Sequence, residues 1–131
     1  MVSNSVLIRE LPDGGHEFVL EDPVLDSIVV DDAVTLRFGR TDVTVCGTCS
    51  IEVDGVEHRL DPHISDSLAP LLSTYPGSAR WLWSSPAGGL TLVMMQGQRL
   101  VVPEPVVRSA WSVRTSPAMI GDQGRPPPAR T

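Results

Sequence analysis

Short runs of alternating apolar and polar residues, separated by turn residues, fill the first sixty positions of the chain. They predict seven strands, at residues 5–9, 17–21, 25–30, 34–38, 43–45, 49–53 and 56–60. Pairs such as Asp31-Asp32 and Asp54-Gly55 supply the breaks between them. Because these turns are closely spaced, the pattern favours an antiparallel meander over βαβ units.

The Asp54-Gly55 pair gives the strongest local signal in the sequence. A two-residue type I′ turn needs a positive φ at both positions, and Asp-Gly adopts it at low cost. The turn predicts three cross-strand pairs: Val53 with Val56, Ile51 with His58, and Cys49 with Leu60. One face of this hairpin is then apolar except for His58, and the other face is polar.

The connection before this hairpin can be interpreted in the same way. A two-residue turn would place Val43 and Val45 on the polar face, opposite Glu52 and Ser50. A three-residue loop at 46–48 instead places both valines on the apolar face, and a slip of one residue would reverse every side chain. The sequence therefore predicts a hairpin between strands 43–45 and 49–53, with Cys46 in its loop.

One helix is expected after Leu60. Asp61 is a suitable N-cap and Pro62 suits the first helical position. Apolar residues then recur at intervals of three and four, forming one stripe: Ile64, Leu68, Leu71, Leu72 and Tyr75. Pro70 predicts a kink or two short turns, because proline lacks an N–H and clashes with the preceding turn.

A second group of strands follows, at residues 79–84, 90–95, 98–102 and 109–113. A tight turn at Gln96-Gly97 predicts two cross-strand pairs: Val93 with Leu100, and Leu92 with Val101. Residues 90–95 are mostly apolar on both faces, which is typical of a central strand covered on both sides.

These elements predict an α+β fold that is mostly β, an antiparallel meander sheet or roll with one helix packed against it. At 131 residues the chain fits one domain. Residues 1–115 are expected to form that domain. Residues 116–131 are rich in proline and glycine, and they are expected to form a flexible tail.

Charge is distributed unevenly along the chain. Residues 1–66 contain fourteen acids and four arginines, a net −10, and residues 67–131 contain two acids and six arginines, a net +4. The acidic half argues against nucleic-acid binding, and the asymmetry could steer a basic protein partner or support self-association. The simpler alternative is that both halves fold into one sheet and the charges only solvate its opposite edges. No signal-peptide pattern or membrane-length apolar run is present, so a cytoplasmic protein without membrane contact is expected.

Two cysteines and two histidines offer a candidate metal site. Cys46, Cys49, His58 and His63 form a ligand set suited to tetrahedral zinc, although their spacing is not that of the usual zinc fingers. The predicted strand register argues against it, since Cys49 and His58 lie on an inner sheet face while Cys46 lies in a loop. The alternative is a buried Cys49 that acts as a small hydrophobic residue and a loop Cys46.

Three aromatic and basic residues offer a candidate partner-binding surface. Trp81 and Trp83 alternate onto one face of a predicted strand, and Arg80 lies beside them. Such a tryptophan pair either anchors the core or forms an interface hot spot. Trp and Arg together are typical of protein interfaces.

Three function hypotheses therefore follow from the residues. The first is a non-enzymatic protein-binding module, immunity-like or accessory, without a cofactor, which uses Arg80, Trp81 and Trp83. The second is a small enzyme or ligand carrier with a pocket between sheet and helix, for which Cys49 and His58 are the candidates. The third is a zinc-stabilised module that uses the four Cys and His residues.

The second strand group also contains a recognisable motif. Residues 88–102 follow the pattern G-x-L-x-L-x-x-x-x-G-x-x-L-x-V, and Ala110-Trp111 follows in the closing strand. Over roughly residues 28–114 the chain resembles a family of small, uncharacterised, mostly actinobacterial proteins. The resemblance lies in structural motifs, so it implies the β-rich fold and no activity.

Overall fold

The computed structural model describes residues 7–104 and 110–116, and these form two antiparallel sheets. The larger sheet has the strand order β1-β2-β8-β9-β10-β6-β7. Its strands are β1 (Leu7–Glu10), β2 (His16–Val19), β6 (Cys49–Val53), β7 (Val56–Leu60), β8 (Ala79–Ser84), β9 (Leu90–Met94) and β10 (Arg99–Val102). The smaller sheet has the order β11-β5-β4-β3. Its strands are β3 (Ser27–Val30), β4 (Ala33–Phe38), β5 (Thr41–Cys46) and β11 (Trp111–Thr115).

One hydrophobic core contains inward-facing residues of both sheets. Leu36, Phe38 and Val43 of the smaller sheet are fully buried, as is Ile51 of the larger sheet. The predicted fold class, mostly β with a single short helix, is confirmed. The predicted tail begins at Ser116 and otherwise lies outside the described residues, so the boundary at residue 115 stays a prediction.

The hairpin of β6 and β7 has the predicted register. Ile51 pairs with His58, and Cys49 pairs with Leu60. At the turn, Asp54 has a φ of 52° and Gly55 a φ of 82°. These are the left-handed values that a type I′ turn requires.

The predicted hairpin between β5 and β6 is wrong. β5 pairs with β4 and β11 in the smaller sheet, whereas β6 pairs with β7 and β10 in the larger one. The loop at 47–48 carries the chain from one sheet to the other, and Gly47 has a φ of 93° there. Strands that face each other across a core bury alternate apolar side chains, just as two neighbouring strands of a hairpin do. The pattern of apolar residues therefore could not distinguish a hairpin from a pair of strands in two packed sheets.

The predicted register between β9 and β10 is wrong by one residue. Leu92 pairs with Leu100, and Val93 pairs with Arg99. The loop has three residues rather than two, with Gly97 at a φ of 104° and its N–H donating to the Met94 carbonyl at 2.9 Å. A three-residue loop that ends in a left-handed glycine is the next commonest hairpin connection after the two-residue turns. The expected central position of β9 in its sheet is confirmed.

The expected helix is a 3₁₀ helix at Ser65–Thr74, and Asp61 does not cap it. The Asp61 side chain instead accepts a hydrogen bond from the His63 N–H at 2.9 Å. Pro70 lies inside the helix, and the hydroxyls of Ser73 and Thr74 donate to carbonyls three residues earlier, which competes with α-helical bonding.

The tighter helical period changes which residues of the apolar stripe are buried. At three residues per turn, positions three apart lie on one face. Leu68, Leu71 and Thr74 accordingly face inward, whereas Leu72 is 63% exposed and Tyr75 is 51% exposed. The predicted single stripe is therefore only partly buried.

Shortening a residue of the sheet interface should reveal how strongly the core depends on it. We expect Leu36→Ala to lower the free energy of unfolding by about 2–5 kcal/mol, because it leaves a cavity at a fully buried position. Val29→Ala, on an exposed position of the same sheet, should cost no more than about 1 kcal/mol. Urea denaturation of both variants measures the difference. Equal losses would contradict the placement of Leu36 in the shared core.

Candidate functional site

A β-bulge in β8 determines how the strongest candidate surface is built. Ala79 pairs with Met94 and Trp81 pairs with Val93, so Arg80 is an additional residue on this strand. In a regular strand neighbouring side chains point to opposite faces, but a bulge re-aims the extra residue. Arg80 therefore lies on the outer side with Trp81, and its guanidinium carbon is 4.4 Å from the centre of the Trp81 ring.

Trp81 and Trp83 lie together on the outer face of the larger sheet. Their ring centres are 6.5 Å apart with an interplanar angle of 71°, an edge-to-face arrangement. Trp81 is 45% exposed, while Trp83 is half-buried. We call Arg80, Trp81 and Trp83 the Trp patch. The structure brings together all three residues that the sequence suggested for partner binding.

Strands distant in the sequence form the surroundings of the Trp patch. Glu17 of β2 pairs with Trp83, and its carboxylate forms an ion pair with Arg9 of β1 at 3.4 Å. β2 pairs with β8 at two positions, His16 with Ser84 and Glu17 with Trp83, and a cleft of about 180 Å³ lies beside Trp81. Local sequence gave no signal for this neighbourhood, because β2 and β8 are far apart along the chain.

Trp111, the third tryptophan, has a different role. It is half-buried in β11 and packs edge-to-face on Phe18 of the larger sheet, with ring centres 5.8 Å apart. Its indole N–H donates to the Gly88 carbonyl at 2.7 Å. Trp111 therefore ties the smaller sheet to the larger one and is not part of the Trp patch.

The four zinc candidates do not come together. Cys46 is exposed at the end of β5, and Cys49 is 5% exposed at the start of β6. His58 lies across from Ile51, and His63 is exposed beyond the end of β7. Within residues 7–104 and 110–116, no three Cys, His, Asp or Glu side chains could hold a metal ion. The geometry therefore gives the zinc hypothesis no support.

The two ligand-pocket candidates do not line a common groove among those described below. Cys49 borders a groove of about 450 Å³ on the outer side of the larger sheet, together with residues that include Glu57 and Arg59. His58 does not line that groove. A second groove, of about 370 Å³, lies between β3 and the 3₁₀ helix, but neither Cys49 nor His58 borders it.

Burial also decides the chemistry of Cys49. Removal from water disfavours the thiolate and raises the pKa of the Cys49 thiol to about 11. The side chain is therefore a neutral thiol at neutral pH, which is a poor nucleophile.

No family model, curated protein or solved structure matches this chain. The resemblance to the small actinobacterial proteins stays a prediction. Within the described residues, no helix is long and apolar enough to cross a membrane.

The two cysteines should differ sharply in reactivity. In the folded protein at pH 8, iodoacetamide should modify the exposed Cys46 much faster than Cys49, whose thiolate is about a hundredfold scarcer than at an ordinary thiol. Peptide mapping by mass spectrometry gives the two rates, and urea should equalise them. Protection of both cysteines until a chelator is added would contradict this result and revive the zinc hypothesis.

The same burial predicts how stability depends on pH. The pKa of Cys49 rises from 9.0 to about 11 on folding, so the folded state holds the proton more tightly. The stability that the Cys49 proton contributes is fully present below pH 9. As the pH rises through 11, the free energy of unfolding falls by about 2–3 kcal/mol. Urea denaturation from pH 8 to pH 11 measures the loss. Cys49→Ala should lose less stability over this interval, and equal losses would count against the prediction.

Proposed function

We propose that this domain is a non-enzymatic, cytoplasmic protein-binding module, immunity-like or accessory, that contacts its partner through the Trp patch. The observation that carries the proposal is the 45% exposed Trp81 ring with the Arg80 guanidinium stacked on it at 4.4 Å. Trp and Arg are enriched at the energetic centres of protein interfaces, where they lose water on binding. A large ring held in place by its neighbours also loses little side-chain entropy.

The Trp patch indicates the chemistry of its partner. In the described part of the chain, no carboxylate forms an ion pair with Arg80. A partner carboxylate could therefore form a bidentate pair with the Arg80 guanidinium while that group stays stacked on the indole. An apolar side chain next to the carboxylate would cover the exposed face of Trp81. We infer that the partner presents such a pair of side chains.

Two features favour binding over catalysis. Cys49, one of the two ligand-pocket candidates, is a neutral thiol because its burial raises its pKa, and it is therefore a poor nucleophile. His58, the other ligand-pocket candidate, does not border the groove on the outer side of the larger sheet that Cys49 borders. A nucleophile and its base need hydrogen-bond contact to react together.

Substitutions in the Trp patch should abolish binding of the partner selectively. The full-length protein would be used to capture partners from lysate of its own host, with quantitative mass spectrometry. We expect Trp81→Ala and Arg80→Glu to lose the same partner that the unchanged protein retains. With that partner purified, Trp81→Ala should weaken binding by tenfold or more, since hot-spot truncations cost at least about 2 kcal/mol.

Met95→Ala is the matched control, because Met95 is an exposed apolar residue, 60% accessible, in the loop between β9 and β10. It should bind as the unchanged protein does. Arg80→Lys keeps the charge but loses the planar fork, so it should bind less well than Arg80 and better than Arg80→Glu. If the Met95 and Trp81 variants lose the partner equally, or if neither loses it, the Trp patch is not the contact surface.

A further inference from the structure

Among the described strands, β3 forms an edge of the smaller sheet. Asp31 donates its N–H to the Ala33 carbonyl at 2.9 Å, which makes these two residues a hydrogen-bonded pair. Antiparallel pairing alternates, so Val29 bonds to β4 while the backbone groups of Ile28 and Val30 point away from the sheet. No other described backbone segment bonds to Ile28 or Val30.

Apolar side chains and a groove accompany this edge. Val29 is 37% exposed and Val30 is 44% exposed. The groove of about 370 Å³ runs between Ile28 and the 3₁₀ helix, where Leu72 and Tyr75 form its far wall. An added strand at this edge could therefore place an apolar side chain in the groove while its backbone bonds to Ile28 and Val30.

Acidic residues lie at both ends of β3. Asp26 lies just before the strand and Asp31-Asp32 follow it, all exposed. The nearby arginines are already paired, Arg37 with Asp42 at 3.4 Å and Arg40 with Glu21 at 2.6 Å. Within the described residues, these three aspartates form no ion pair.

This charge distribution identifies the kind of strand that fits the edge. Two copies paired through β3 in antiparallel fashion would bring Asp26 of one copy close to Asp31 of the other, and like charges across strands destabilise a pair. A strand with basic residues at both ends would instead neutralise the aspartates. We propose that the β3 edge binds an extended segment of a partner protein, apolar in its middle and basic at both ends, as a fifth strand of the smaller sheet.

This second interface is independent of the Trp patch, because it lies on the other sheet. From Asp26 to Asp31 the chain spans about 17 Å of extended backbone, so the two basic residues of the partner segment should be five or six positions apart. The added strand would supply affinity through main-chain bonds and selectivity through its charges and its side chain in the groove.

A pair of synthetic peptides tests the proposal on the full-length protein. The probe is Ac-KVTVTVK-NH2 and its matched control is Ac-EVTVTVE-NH2, with NMR titration and amide hydrogen exchange as measurements. We expect the lysine peptide to bind and to slow exchange at the Ile28 and Val30 amides. The glutamate peptide should bind at least about tenfold more weakly, because its charges repel the aspartates.

Variants at Val30 separate the backbone contact from the side chain. Val30→Pro removes only an outward N–H, a change that edge strands tolerate, and it should weaken binding of the lysine peptide about tenfold or more. Val30→Thr keeps both the N–H and the β-branched shape, so it should bind normally. Asp31→Asn with Asp32→Asn should weaken the lysine peptide and strengthen the glutamate peptide.

Several outcomes would overturn the proposal. Equal binding of the two peptides would show that the aspartates do not select basic residues. Slowed amide exchange at Leu7–Glu10 instead of β3 would show that the peptide binds at β1 of the larger sheet. Slow exchange at Ile28 and Val30 in dilute, peptide-free protein would mean that another segment of this chain covers the edge. Protection that rises with protein concentration would mean that a second copy does.

Discussion

The structure depends on one constraint: each sheet has an apolar face, and the two faces can leave water only by covering each other. Leu36, Phe38 and Val43 of the smaller sheet and Ile51 of the larger one are fully buried as a result. The chain meets the constraint by crossing between sheets at 47–48, directly after β5. Trp111 adds a specific link, through its contact with Phe18 and its hydrogen bond to the Gly88 carbonyl. The outer faces, the sheet edges and the loops are then the parts of the described residues that a partner can reach.

The register of a hairpin could be predicted from the sequence where its turn residues favour a single turn geometry. Asp54-Gly55 gave the complete register of β6 and β7, because few residue pairs adopt two positive φ values at low cost. Gln96-Gly97 was ambiguous, since a glycine ends both two-residue and three-residue loops, and the longer loop shifted β9 against β10 by one residue. The predicted hairpin between β5 and β6 was wrong for a different reason. The alternation of apolar and polar residues indicates which face of a strand is buried, but not which strand lies beside it.

The Trp patch was predictable only in part. Alternation correctly placed Trp81 and Trp83 on one face. The position of Arg80 was not predictable in the same way, since a regular strand would have turned it to the opposite face. Its stacking on Trp81 follows from the bulge between Ala79 and Trp81, which depends on how β8 pairs with β9. The Glu17 and Arg9 ion pair beside Trp83 also depends on long-range pairing, so neither was visible in the local sequence.

The two proposed interfaces carry opposite charge, and they are joined by the backbone. The Trp patch has an arginine, whereas the β3 edge has aspartates at both ends. The segment that leads into β3 bonds to the start of β8, through the Leu25 N–H to the Gly77 carbonyl at 2.9 Å and the Ala79 N–H to the Pro23 carbonyl at 2.8 Å. These two hydrogen bonds link the segment before β3 directly to the strand that carries the Trp patch. The uneven charge of the two chain halves does not divide the molecule into two regions, because strands from both halves enter both sheets. Arg80 and the aspartates at the ends of β3, none of which forms an ion pair within the described residues, lie on separate surfaces. One acidic and one basic contact could therefore be made at the same time.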